Sequence, residues 1–114
     1  MSELPEAPIR VPVPAGLADV GLAVIEAAGR DIVVLKDGDG YRAIDRWCPH
    51  EEGDLSEGMM FGKHIKCPVH GYIFDLAKGR CLNHFGLVMR VYAVEAEAGE
   101  LVLTAVSKPT GQAS

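Results

Sequence analysis

Two short stretches hold the residue types that bind soft or borderline metals. One reads Cys48-Pro49-His50 and the other Cys67-Pro68-Val69-His70, with residues 51–66 between them. Two thiolates and two imidazoles are enough to complete one metal site. Each stretch starts Cys-Pro and ends in His, which suggests two similar loops closing on one group from opposite sides. The spacing bears on what that group is. Structural zinc sites usually pair Cys with Cys and His with His. Here each pair mixes a thiolate with an imidazole, and a single residue separates the first pair. Mixed pairs suit two iron atoms bridged by sulfide, with both Cys on one iron and both His on the other. A zinc-bound structural or interaction module is the alternative that these residues leave open.

Gly71 follows the second His, and Phe74-Asp75 and Lys78-Gly79 come shortly after. On these residues and the four ligands, the chain resembles the small Rieske ferredoxins that serve ring-hydroxylating oxygenases. The likeness runs from about residue 9 to about residue 106. It implies one [2Fe–2S] cluster, with Cys48 and Cys67 on the inner iron and His50 and His70 on the outer one. Thiolates are best kept buried among backbone N–H donors, whereas neutral imidazoles tolerate exposure. The implied fold is all-β, a Rieske-like antiparallel sandwich or barrel with a small cluster-binding subdomain inserted in it.

The resemblance also implies a function: a soluble, low-potential carrier passing single electrons from a flavoprotein reductase to a terminal oxygenase. Such a carrier docks transiently, works as a monomer and is not itself an enzyme. An oxygenase would need a mononuclear iron site of two His and a carboxylate on a separate catalytic domain, for which 114 residues leave no room. The Rieske small subunit of another redox enzyme, such as an assimilatory nitrite reductase, is the alternative. The low potential rests on departures from high-potential relatives. Those carry two further Cys, at positions equivalent to Gly53 and Val69, and Ser and Tyr hydroxyls at positions equivalent to Tyr72 and Phe74.

Composition narrows the partners. A net charge of −5 argues against nucleic acid and suits docking to a more basic protein. No apolar run approaches the roughly 18 residues of a membrane span. The start, Met1-Ser2-Glu3-Leu4-Pro5-Glu6, is acidic and lacks the basic and apolar regions of a secretion signal. The third cysteine, Cys81, leaves an odd count with no disulfide implied, as in a reducing compartment. A cytoplasmic location is therefore expected.

The elements that must position the ligands read as short strands. Ile9, Val11 and Val13 alternate with Arg10, Pro12 and Pro14, and the prolines confine this strand to an edge. Leu17-Ala18-Asp19-Val20 suits one helical turn. Residues 22–27 are bracketed by Gly21 and Gly29, too close for a helix, so they read as a strand despite Leu and Ala. Ile32-Val33-Val34-Leu35 marks a buried strand, and Asp37-Gly38-Asp39-Gly40 a turn. Residues 41–46 then run into the first ligand loop. Beyond the second loop, strands are expected at 71–75, 80–82, 87–95 and 101–106. The expected organisation is a flexible 1–8, one domain over 9–106 with its cluster-binding part at about 47–82, and a disordered 107–114.

Residues beside the ligands invite further expectations. Trp47 reads as a core anchor beneath the first loop. Cys81 reads as a small apolar strand residue, with a redox role as the other option. His64 reads as a surface imidazole. Many relatives cover the cluster with a Pro in the loop equivalent to Asn83-His84-Phe85-Gly86. This chain has none there, which makes Phe85 the candidate shield and places His84 near the docking face. Glu51, Glu52, Asp54 and Glu57 form an acidic run suited to steering a partner.

Overall fold

The computed structural model describes residues 8–17, 21–38, 40–48, 53–69 and 71–107. His50, His70, Glu51 and Glu52, the turn residues 18–20 and both expected loose ends, 1–7 and 108–114, lie outside the described residues.

Among the described residues, nine strands and one short 3-10 turn alternate along the chain. They are β1 (Ile9–Pro12), β2 (Leu22–Ala27), β3 (Arg30–Asp37), β4 (Gly40–Asp45), the 3-10 turn (Leu55–Glu57), β5 (Met59–Phe61), β6 (His64–Lys66), β7 (Ile73–Asp75), β8 (Val91–Glu97) and β9 (Glu100–Ala105). Six of them form one antiparallel sheet in the order β1-β9-β8-β4-β3-β2, which curls toward a nearly closed barrel. The other three form a small antiparallel sheet, β5-β6-β7. The all-β expectation holds, and β1 with its prolines does lie at the sheet edge.

Hydrophobic alternation explains how the two sheets meet. Ile32, Val33, Val34 and Leu35 on β3 are all at most 1% exposed, so both faces of this strand are covered. Ile32 and Val34 point into the barrel interior with Leu17, Ala43, Tyr92, Leu101 and Leu103. Val33 and Leu35 point out of it, into a second core with Ile44, Leu55, Ile65, Phe74, Leu76, Leu87, Met89 and Val91. Cys48 and Cys67 belong to that second core. The site is thus built between the outer face of β3, β4 and β8 and the small sheet.

In two of the barrel's two-residue hairpin turns a non-glycine takes a left-handed conformation. Ala27 pairs with Arg30 across Ala28 (φ 54°), and Glu97 pairs with Glu100 across Ala98 (φ 50°). Two consecutive positive-φ residues match the twist of the strands they join.

The strand expected over 87–95 begins later. Residues 87–89 pair with 79–81 and not with the large sheet: Leu87 O accepts from Cys81 N–H at 2.9 Å and Met89 N–H donates to Gly79 O at 2.7 Å, and only at Arg90, whose O accepts from Asp45 N–H at 3.1 Å, does the chain meet β4. Alternation misleads here because Leu87 and Met89 face the second core as Val91 does, while pairing with a different segment. A Cβ on Gly79 would collide with the Met89 carbonyl, so this close approach requires glycine.

Candidate metal centre

Both cysteine loops are closed by the same kind of bond. Cys48 N–H donates to Gly53 O at 2.9 Å, and Cys67 N–H donates to Tyr72 O at 2.8 Å. Each bond spans five residues, so the two loops share a closing bond as well as a Cys-Pro start. The first loop leaves β4, where Arg46 N–H donates to Asp31 O at 2.9 Å and Leu55 N–H to Arg46 O at 2.7 Å. A bridge between Trp47 and Asp54 brings its two ends together. The second loop joins β6 to β7 and turns at Gly71, whose φ of 73° suits a residue without Cβ. Gly71 N–H also donates to Cys67 O at 3.1 Å.

The two thiols are buried, Cys48 at 6% and Cys67 at 2% exposure, within one apolar cluster. None of the three cysteines is in a disulfide. The loops meet closely, because a Cβ built on Gly53 would lie 2.5 Å from Cys67 Sγ. Two buried thiols on facing loops, one of them against the Gly53 backbone, are soft donors of the kind an iron–sulfur group takes. The two histidines of the motif fall outside the described residues, so the structure brings together the cysteine half of the expected set.

An ion pair braces the first loop. Arg46 donates to both carboxylate oxygens of Asp54, from Nε at 3.0 Å and from the terminal nitrogen at 2.9 Å. Asp54 Oδ1 also caps the 3-10 turn, accepting from Ser56 N–H at 3.0 Å and from Ser56 Oγ at 2.6 Å. The Arg46 hydrogen bond outweighs burial and, with Ser56, holds the Asp54 carboxyl down to about 2. The same partner pushes the Arg46 guanidinium up. Asp54 therefore serves the loop and is not a loose steering charge. Glu57, in contrast, is exposed. The spacing Asp54-Leu55-Ser56-Glu57 is a capping pattern that could have assigned Asp54 to a turn from sequence.

Other expectations need correction. Trp47 is not a core anchor: it is 43% exposed, with its indole N–H donating to Asp31 at 3.3 Å and Arg46 stacked 4.7 Å from the ring centre. The indole carries a polar N–H that finds its partner at the surface. Phe85 is fully exposed, so it covers nothing. His84 is exposed and rests edge-on against Tyr72, 4.9 Å between ring centres. His64 is half-buried on β6 with its ring 5.9 Å from that of Phe61. Cys81 is half-buried against the second core as a small apolar residue, but it meets Phe74 in an isolated bridge, so the strand expected over 80–82 does not form. Asn83, for which the sequence offers no motif, bonds to the residues that follow the second loop.

Known proteins agree with this geometry. The Rieske [2Fe-2S] domain profile matches residues 11–88, which take in both Cys-Pro stretches. The ferredoxin of carbazole 1,9a-dioxygenase from Nocardioides aromaticivorans is 28% identical with a TM-score of 0.71, over 87% of this chain and 98% of that one. A chain from the complex of reduced oxygenase and oxidized ferredoxin in carbazole 1,9a-dioxygenase has the same identity and TM-score, over 84% of this chain and 93% of that one. The 5,5'-dehydrodivanillate O-demethylase oxygenase subunit of Sphingobium sp. is 40% identical over 58 residues, 50% of this chain. That match spans only 13% of the demethylase subunit. The zinc alternative falls away: the chain belongs to the Rieske [2Fe-2S] domain family, whose domain binds one [2Fe–2S] cluster.

Proposed function

We propose that this protein is a low-potential electron carrier that takes single electrons from a flavoprotein reductase and delivers them to a terminal oxygenase. The observation that carries the reading is the pair of buried cysteines on two loops closed by like backbone bonds, in a chain that covers 98% of a dioxygenase ferredoxin. Cys48 and Cys67 would hold the cluster by their thiolates, and His50 and His70 by their imidazoles. When bound, the cluster supplies a one-electron couple. The chain does the rest. It buries the thiols, excludes water from them with Leu55, Ile65 and Phe74, and closes both loops through backbone bonds. We take residues 9–106 as the one domain and about 47–82 as its cluster-binding part.

The partner would meet the second loop and the segment tied to it. Val69 (49%), Leu82 (58%) and Phe85 (101%) are exposed apolar groups there, and Glu57 offers a negative charge. Exposed aromatic and aliphatic groups with a charged rim are what transient docking uses. The complex of oxygenase and ferredoxin in carbazole 1,9a-dioxygenase supports an oxygenase as the partner.

A second reading has its own support. The 40% match lies within an oxygenase subunit, so the domain could instead serve as the electron-accepting part of an oxygenase. One experiment separates the readings. Purified protein is reduced by a flavoprotein reductase and mixed with a separate ring-hydroxylating oxygenase. A carrier is reduced by the first and reoxidised by the second; reduction without reoxidation by any separate oxygenase supports the second reading. Reoxidation only by a nitrite reductase large subunit would support the small-subunit alternative.

A further inference from the structure

The antiparallel pairing of β7 with the returning chain stops one step short of the second cysteine loop, and a side chain completes it. Phe74 bridges Cys81, and Leu82 N–H donates to Ile73 O at 2.7 Å. From there the side chain of Asn83 takes the place of backbone. Its Oδ1 accepts from Ile73 N–H at 3.0 Å, and its Nδ2 donates to Gly71 O at 3.1 Å. One amide thus grips both peptide groups that flank Tyr72, as a neighbouring strand would.

The orientation of that amide is determined. Oδ1 faces two donors, Ile73 N–H and Cys81 Sγ–H, the latter at 3.2 Å, while Nδ2 faces a carbonyl. A flipped amide would set donor against donor at Ile73 and Cys81 and acceptor against acceptor at Gly71. The residues it grips follow His70 directly, and the Tyr72 carbonyl between them closes the Cys67 loop.

We infer that Asn83 is a positioning residue for the second ligand loop, fixing the backbone that carries Cys67 and His70. This rests on the ligand assignment proposed above. An electron carrier works best when its ligands move little between redox states, and groups that orient the ligands tune the metal's electronic structure. No other side chain among the described residues is recorded bonding to both Gly71 and Ile73. Beyond the Leu82–Ile73 backbone bond, the residues flanking Tyr72 are held from this side only while residue 83 presents both an acceptor and a donor.

Two variants divide the role. Asn83→Leu keeps the size and removes both bonds. Asn83→Asp keeps the acceptor for Ile73 and turns an oxygen toward the Gly71 carbonyl. Holoproteins are compared by iron and sulfide content, by the EPR spectrum of the reduced cluster and by deuterium exchange of the 71–75 segment. Asn83→Leu is expected to exchange this segment at least tenfold faster and to give shifted or broadened EPR features at unchanged iron content. Asn83→Asp is expected to keep slow exchange at Ile73 while still altering the spectrum. Faster exchange with a wild-type spectrum in both variants would mean a merely structural bond and overturn the proposal. If Asn83→Leu does not fold, a wild-type spectrum in Asn83→Asp is enough to overturn it. A wild type without iron and sulfide would remove the ligand assignment and this proposal together, whereas a loaded wild type with silent variants removes this proposal alone.

Discussion

A methyl group on Gly53 would stand 2.5 Å from the sulfur of Cys67 and 2.9 Å from a methyl of Val69. Carbon atoms in favourable contact sit about 3.5–4 Å apart. The first loop therefore carries glycine so that the thiol of the second can lie against its backbone. Gly53→Ala must push the sulfur or the loop aside, at a cost of about 1–3 kcal/mol for overpacking. Less than half the wild-type iron per chain and a melting point several degrees lower are expected. Iron analysis and a thermal melt check this, and a fully loaded Gly53→Ala protein would contradict it.

Removing a thiol should do more. Cys67 is buried in the same core as Leu55, Ile65 and Phe74, and binding free energy at a metal site is also folding free energy. Cys67→Ser should give colourless protein with loosened ligand loops, whereas Cys81→Ser should stay coloured. Visible absorbance and limited proteolysis read out both. Native-like melting of the cluster-free variant would count against the coupling.

The Arg46–Asp54 pair should make the first loop sensitive to acid. Arg46 holds the folded Asp54 carboxyl down to about 2 from an ordinary 3.8. A group whose folded value is depressed adds stability that is complete above its unfolded value and is lost as the pH falls. The loss should therefore run from about pH 4 to about pH 2, and amount to about 1–2 kcal/mol once solvent screening is allowed for. Asp54→Asn keeps an oxygen for Ser56 and removes the charge. Its melting point should be lower than that of the wild type at pH 7, and the gap should close by pH 2. A constant gap across that range would refute the assignment.

Partner exchange should depend on salt. Glu57 is exposed, while Asp54 is engaged with Arg46, so Glu57 is the described carboxylate of the acidic run left to attract a basic partner. Exposed charges are screened over about 10 Å at 0.1 M salt. Stopped-flow reduction by the cognate reductase should slow severalfold as salt rises, and Glu57→Lys should slow it further at low salt. Rates independent of both would remove the steering idea.

The midpoint potential should lie well below zero, toward the low end of a family range of roughly −150 to +300 mV. Hydroxyl donors stabilise the reduced, more negative cluster and so raise its potential. Phe74, at the position where high-potential relatives place a Tyr, is fully buried in the core that holds both cysteines and offers no hydroxyl. A single charge-assisted bond favouring the reduced state by about 1–2 kcal/mol is worth on the order of 50 mV for one electron. Redox titration should show Phe74→Tyr shifted upward by about that amount. A wild-type midpoint near the top of the range would refute the low-potential assignment.

The spacing of Cys48, His50, Cys67 and His70 pointed to an iron–sulfur group and carried the family resemblance, because few metal groups take two thiolates and two imidazoles in mixed pairs, while the family match removed zinc. Period-two alternation, glycine turns and the apolar run 32–35 were enough for an antiparallel all-β chain, because those signals are local. Residues 22–27 came out as a strand from their bracketing glycines alone. Where pairing is non-local, alternation was not enough: 87–89 has the pattern of a strand yet bonds back to 79–81. Only the tertiary structure decided that Asp54 is bound to Arg46, that Trp47 reaches Asp31 at the surface and that Phe85 shields nothing. Only it showed that Gly53 faces Cys67 and that Asn83 grips the residues after the second loop. The reason is physical: ligand type is a property of single side chains, whereas contacts between residues 8 to 16 apart in sequence exist only after the chain has closed on itself.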